Sequence, residues 1–208
     1  MAALVLAASG FLFGCAAGSV SVKAGPALAG REDVRLNGEE IRGQSPTVGP
    51  AVAIGFAGWH KSQGPSIGFG ADLVGLCNDL EVSGVKIEEE RLGILGSVLG
   101  RDPLPRFDEA YVYGGVTGGG FLARLNGGGG EFGPAVGLRL GVSFPLLRRL
   151  EFVLEADYLF FADVNGRATD GSRMKASGSG SFADGLRGPH GDAMRFVVKG
   201  GVNLLVWE

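Results

Sequence analysis

The sequence has few of the residues on which most catalytic and metal-binding sites depend. Its 208 residues include two cysteines and two histidines. The cysteines, Cys15 and Cys77, have a spacing that matches no metal or redox motif. The formal net charge is -3, so the chain has no basic field of the kind that attracts nucleic acid. We therefore predict no metal, no cofactor and no nucleic-acid partner.

Long apolar runs are also missing beyond the first residues. No stretch of 18 or more apolar residues follows residue 17, so no membrane-spanning helix is predicted there. Proline is uncommon, with 9 residues, whereas glycine is abundant, with 39. The glycines lie within apolar alternating runs, where they ease bends and allow neighbouring strands of a closed sheet to approach closely.

The clearest positive signal is a period of two in the apolar residues. Apolar and acidic residues alternate in segment 150–161, and apolar and basic residues alternate in segment 195–207. This period predicts β-strands. The lengths match the roughly 9 to 11 tilted residues of a strand that crosses a bilayer in a barrel. A soluble sandwich, with its apolar faces inward and its charges in water, has the same pattern.

Eight segments are predicted to be strands: 19–28, 48–60, one starting at Ser66, 89–101, 109–122, 132–144, 150–161 and 195–207. The alternation slips near Leu73, where Gly75 is predicted to mark a β-bulge. Connections at one end are mostly short, whereas 31–46, 81–85 and 165–192 are predicted to be loops at the other end. This asymmetry is typical of bacterial barrels. We predict an all-β fold, an eight-stranded antiparallel up-and-down transmembrane β-barrel.

The first residues are typical of a secretory signal. Residues 1–17 form a signal peptide-like segment, in which an apolar run ends in small residues, and 18–208 are predicted to form the barrel domain. No Lys or Arg precedes the apolar run, so a true start upstream of residue 1 is an alternative. Residues 12–15 also resemble a lipoprotein cleavage box, which would make Cys15 a lipidated amino terminus. Cleavage near Ala17, lipidation and an uncleaved segment are the three alternatives.

Residues 111–116, 132–144 and 150–158 resemble strands of the small eight-stranded outer-membrane barrels of the OmpA-like and opacity-protein type. The resemblance implies a bacterial outer-membrane location, contact with the lipid bilayer and lipopolysaccharide, and insertion by the barrel-assembly machinery. Members of this family commonly end in an aromatic residue that this machinery reads. Trp207 resembles that residue, although Glu208 follows it.

If the apolar faces meet lipid, the opposite faces line the interior. The charged candidates for ion pairs there are Lys23, Asp72, Arg91, Arg139, Glu151, Glu155, Asp157, Arg195 and Lys199, with Thr117 and Asn203 as polar neighbours. Side chains just fill an eight-stranded barrel, and buried charges persist when they are paired. We predict that Glu155 meets Arg139, Arg195 or Lys199.

Enzymatic readings have little support. His60 and Ser62 have the His-x-Ser spacing of outer-membrane lipid A deacylases, but they fall in a predicted periplasmic turn, away from the outer leaflet. His190 has no nucleophile near it in sequence. The glycine runs 118–120 and 127–130 lack the lysine of a phosphate-binding loop. We predict no catalytic residue and no enzymatic activity.

The sequence leaves three functional hypotheses. The first is a structural or surface-interaction role, in which segments 31–46 and 165–192 contact an extracellular partner. The second is a narrow channel for ions or small solutes through the charged interior, and the third is a lipid-modifying enzyme. Trp59, near a strand end, is expected either in an aromatic belt at the membrane interface or as a filler of the interior.

Overall fold

A computed structural model of the chain describes twelve β-strands and some of their connections. It describes residues 17–29, 32–36, 39–41, 48–60, 65–82, 85–105, 107, 109–125, 131–161, 164–167, 173–178 and 193–207. The strands are β1 (Ala17–Ala29), β2 (Glu32–Leu36), β3 (Glu39–Ile41), β4 (Val48–Trp59), β5 (Ser66–Val82), β6 (Val85–Pro103), β7 (Tyr111–Leu125), β8 (Glu131–Leu147), β9 (Leu150–Phe161), β10 (Val164–Arg167), β11 (Arg173–Gly178) and β12 (Ala193–Trp207). No described segment is a helix long and apolar enough to cross a membrane. The predicted signal segment lies outside the described residues, except for its last residue.

Eight of the strands form one closed antiparallel barrel, in the order β1-β12-β9-β8-β7-β6-β5-β4. The two ends of the chain close it, because Val22 in β1 pairs with Val202 in β12 on one side and with Ile54 in β4 on the other. Closure leaves the barrel without an open edge. The prediction of an all-β, eight-stranded antiparallel barrel is confirmed, and the alternative of a soluble sandwich is wrong.

Two segments predicted to be loops contain strands instead. Segment 31–46 includes β2 and β3, and segment 165–192 includes β11 and most of β10. These four strands form a second sheet in the order β10-β11-β2-β3, which we call the outer sheet. Its central pair places Lys175 of β11 opposite Arg35 of β2. The polar sequences gave little alternation, and the pairing of β11 with β2 joins segments that are far apart in sequence.

The hairpin between β5 and β6 also differs from its prediction. Segment 81–85 is not an extended loop, because Val82 pairs with Val85 and the strands continue almost to the tip. Gly75 lies in unbroken register with both neighbouring strands, so the predicted bulge is wrong. The misleading residue was Val74, which is buried inside the barrel. An apolar residue on the inward face looks like a slip in the alternation.

The two ends of the barrel differ. Connections 60–65, 104–110 and 148–149 lie at the end that also holds the first residue of β1 and the last residue of β12. We call it the turn end. The opposite end, the loop end, carries the connections that contain the outer sheet.

Outward-facing side chains on the barrel strands are largely apolar. Ile54, Leu138 and Leu140 are 57%, 56% and 65% exposed, whereas their neighbours Ala53 and Arg139 are buried in the interior. Further exposed apolar residues on these strands include Val20, Val22, Val52, Ile67, Leu73, Leu92, Ile94, Val98, Val116, Val136, Leu154, Val202 and Leu204. Monomeric soluble proteins rarely expose a continuous apolar surface of this extent. The surface fits a bilayer.

One inward-facing glycine is required by the close approach of β6 and β7. A Cβ added at Gly115 would lie 2.0 Å from the carbonyl oxygen of Val98, so one of the two strands would have to move. Gly118 on the same strand faces outward. A Cβ there would be 3.6 Å from the carbonyl oxygen of Ala135, which is an ordinary contact.

We therefore expect Gly115→Ala to lower the free energy of unfolding by about 1–3 kcal/mol through overpacking. The matched Gly118→Ala variant should change it by less than about 0.5 kcal/mol. Urea unfolding in lipid vesicles, followed by tryptophan fluorescence, measures both. Equal stability of the two variants would show that the strands relax without cost.

Candidate functional site

Six charged side chains meet in the middle of the barrel, and we call them the central cluster. Five strands of the barrel contribute to it, and each side chain lies on the inward face of its strand. The cluster consists of Lys23, Asp72, Arg139, Glu155, Asp157 and Lys199, all at most 5% exposed. With three cations and three anions, its formal charge is balanced.

Arg139 contacts all three carboxylates of the central cluster. Its Nε donates to Oδ1 of Asp157 at 2.7 Å and its Nη2 donates to Oδ2 at 3.1 Å, a bidentate pair. Its Nη1 donates to Asp72, and its Nε lies 3.4 Å from Glu155. One planar guanidinium therefore contacts three carboxylates, as its fork of donors permits.

The two lysines complete the pairing of these carboxylates. Lys23 Nζ lies 2.9 Å from Asp72 and 3.1 Å from Glu155. Lys199 Nζ lies 2.8 Å from Glu155 and 2.5 Å from Asp157. Each carboxylate thus contacts at least two cations, which offsets the cost of taking these charges out of water.

Tyr113 adds a neutral hydrogen bond to the cluster. Its hydroxyl donates to Oε2 of Glu155 at 3.1 Å. Tyr113 also packs edge-on against Trp59, with ring centroids 6.1 Å apart. Trp59 is therefore a filler of the interior, which decides between the two positions that its sequence allowed.

An apolar layer fills the interior on the loop-end side of the central cluster. Along β5, Asp72 is followed on the inward face by Val74 and Leu76, and along β9, Asp157 is followed by Leu159 and Phe161. The layer consists of Ala27, Ala51, Ala53, Val74, Leu76, Leu95, Phe121, Ala135, Leu159, Phe161 and Val197. These side chains separate the central cluster from the loop end.

A second charged group lies beyond the apolar layer. Arg91 donates from Nε and Nη2 to Oε1 of Glu89 at 3.0 and 2.6 Å, and Arg195 donates to the other oxygen of Glu89. The Arg91 guanidinium lies 4.4 Å from the ring centroid of Phe161, a cation–π contact. We call Glu89, Arg91 and Arg195 the loop-end cluster.

The nine predicted candidates occupy three levels of the barrel. Six of them form the central cluster, Arg91 and Arg195 belong to the loop-end cluster, and Glu151 accepts a hydrogen bond from Asn203 at 3.2 Å near the turn end. Glu155 meets Arg139 and Lys199, whereas Arg195 pairs with Glu89.

Sequence reasoning missed two partners, Glu89 and Tyr113. Glu89 is two residues from Arg91 and so shares its inward face, which is the signal that could have revealed it. Tyr113 is four residues from Thr117 and so shares its inward face, but nothing in its sequence neighbourhood indicates the bond to Glu155.

Catalytic constellations find no support among the described residues. His60 is exposed at the end of β4, and Ser62 and His190 lie outside the described part of the chain. Glycines 118–120 lie in β7 and pair with residues of β8, so they do not form a loop. Residues 127–130 are outside the described part of the chain. Across the described ranges no group of three His, Cys, Asp or Glu side chains could hold a metal ion.

Comparison with known proteins identifies the fold. No protein-family model and no curated protein sequence matches the chain. The outer membrane protein OprG from Pseudomonas aeruginosa is similar in structure, with a TM-score of 0.52 and 13% identity over 94% of this chain and 99% of that one.

Two further outer-membrane barrels resemble the chain more loosely. The Neisserial surface protein A has a TM-score of 0.47 and 12% identity over 89% of this chain and 96% of its own. The outer membrane protease OmpT from Escherichia coli has a TM-score of 0.46 and 7% identity over 91% and 96%. The likeness to OprG shows that the chain has the fold of a small outer-membrane β-barrel.

The central cluster generates a stability prediction. In Arg139→Met the three carboxylates of the cluster have only two lysines to pair with, so a buried negative charge is uncompensated. We therefore expect the free energy of unfolding to fall by about 3–5 kcal/mol. Adding Asp157→Leu restores the charge balance and should recover part of that loss.

Arg148→Met, at an exposed turn residue, is the matched control and should have an effect below about 0.5 kcal/mol. Urea unfolding measures all three variants. A double variant less stable than Arg139→Met would contradict the balance of charges as the cause.

Proposed function

From an eight-stranded outer-membrane barrel whose interior is filled by paired charges, we infer an integral protein of the bacterial outer membrane with a structural or surface-interaction role. The observation that carries this is the apolar outer surface, on which residues such as Ile54 and Leu138 are more than half exposed. Such side chains are favourable against hydrocarbon and unfavourable against water. The lipid bilayer and lipopolysaccharide are its proposed partners, and the barrel-assembly machinery inserts it.

A non-enzymatic, non-conducting barrel fits the interior best. The apolar layer has no charged member, and the central cluster has its lysines and its arginine tied to carboxylates. A path for ions would have to cross both levels. The narrow channel therefore has less support, and the lipid-modifying enzyme rests on the spacing of His60 and Ser62, of which only His60 is among the described residues.

The outer sheet is the proposed contact surface. Segments 31–46 and 165–192 supply its strands, and β11 pairs with β2 beyond the rim. Segment 31–46 follows β1, and segment 165–192 precedes β12, the barrel neighbour of β1. Their pairing through β2 and β11 presents one joint surface to an extracellular partner.

A charge placed on the outer surface tests the membrane location. We expect the wild-type chain in the outer-membrane fraction. Its mobility in dodecyl sulfate gels should differ before and after boiling, because a closed barrel stays folded in the detergent until it is heated. Leu138→Arg, midway along β8, should cost about 2–4 kcal/mol in lipid, and Leu146→Arg, near the turn end, about 0–1 kcal/mol.

Both leucines are more than half exposed, so a soluble barrel would tolerate the two arginines equally. Equal free energies of unfolding for the two variants, together with recovery of the protein in a soluble fraction, would refute the proposal.

The filled interior predicts the absence of a steady current. Purified protein in planar bilayers should show no ion conductance, because the apolar layer would have to be hydrated along a continuous path. Phe121→Ala, which removes a ring from that layer, provides a sensitised comparison. Steady conductance of the wild type that disappears in Arg139→Ala would favour the channel instead.

A further inference from the structure

A small cavity lies between the central cluster and the turn end. Its volume is about 40 Å³, and its lining includes Ser21, Tyr113, Ser143 and Glu155. A single water needs roughly 10–15 Å³ by this measure, so the cavity has room for about three waters. It reaches the central cluster on one side, since Glu155 belongs to both.

Two hydroxyl groups in this cavity require a ligand. Ser21 and Ser143 are 7% and 6% exposed, and neither side chain makes a hydrogen bond to another described residue. A buried hydroxyl without a partner is costly, and such groups usually bind buried water. Ser97 is equally buried, at 5%, but it bonds to Thr117 and lies outside the cavity lining.

The cavity has an exit towards the turn end. Glu151 and Asn203 line it and are only partly buried. Arg101 lies at this exit, with its guanidinium 4.6 Å from the ring of Trp59 and 4.5 Å from the ring of Tyr111. On the opposite side the apolar layer closes the barrel.

We propose that this cavity is a blind, water-filled vestibule that opens at the turn end and ends at Tyr113 and Glu155. The hydroxyl oxygens of Ser21 and Ser143 are the unpartnered ligands, whereas the central-cluster charges that line the space pair with one another. The space therefore suits water. Arg101 restricts the entrance. The vestibule depends on the proposed barrel but not on the role of the outer sheet.

Silver ion is a suitable probe, because it reaches a thiol through water-filled space, displaces the thiol proton and binds the sulfur. Ser143→Cys and Ser97→Cys are made in a background in which Cys15 and Cys77 are replaced by serine. Both are conservative changes at equally buried serines. Each variant must first show the heat-dependent gel shift, so that failure of the barrel is distinguished from failure of the vestibule.

In folded protein we expect Ser143→Cys to react with silver at least about tenfold faster than Ser97→Cys, which is reached only by local unfolding. Adding Arg101→Ala should accelerate the Ser143→Cys reaction and leave that of Ser97→Cys unchanged. Thiols protected by silver are counted by mass spectrometry after denaturation and alkylation.

Leu76→Cys reports the direction of entry. Leu76 lies in the apolar layer towards the loop end, so it should react more slowly than Ser143→Cys. Equal rates for Ser143→Cys and Ser97→Cys, or a faster reaction of Leu76→Cys, would overturn the proposal.

Discussion

Closure of the hydrogen-bonded sheet is the constraint on which the rest of the structure depends. Hydrocarbon offers no partner for a backbone N–H or C=O, so an open edge within a bilayer is costly. The pairing of β1 with β12 removes that edge. It also fixes every second residue inside and leaves an interior that side chains of eight strands just fill. The inward residues therefore decide whether the barrel is a plug or a passage.

The inward residues of this chain make a plug with distinct levels. Arg139 on β8 contacts Asp72 on β5 and Asp157 on β9, so the central cluster joins walls that the backbone ladder does not pair directly. Paired charges of this kind add little net stability compared with an apolar core, but losing one partner is expensive. The apolar layer then isolates the central cluster from the loop end. On the other side, the vestibule connects the central cluster to the turn end.

The outer sheet joins two long connections of the barrel. β2 follows β1 in sequence and pairs with β11, which lies between β9 and β12. In this arrangement two segments far apart in sequence form one surface. This second sheet is separate from the barrel sheet.

The sequence alone determined the number of barrel strands, their faces and the inward position of residues such as Lys199 and Asp72, because alternation with period two is a local property of an extended chain. The register between distant strands was not local, and only the tertiary structure decided it. It set Arg195 against Glu89 instead of Glu155, placed Tyr113 against Glu155, and paired two polar segments into a sheet. Which charge meets which depends on the stagger of strands around a closed barrel, and that stagger is fixed only when all eight strands have paired.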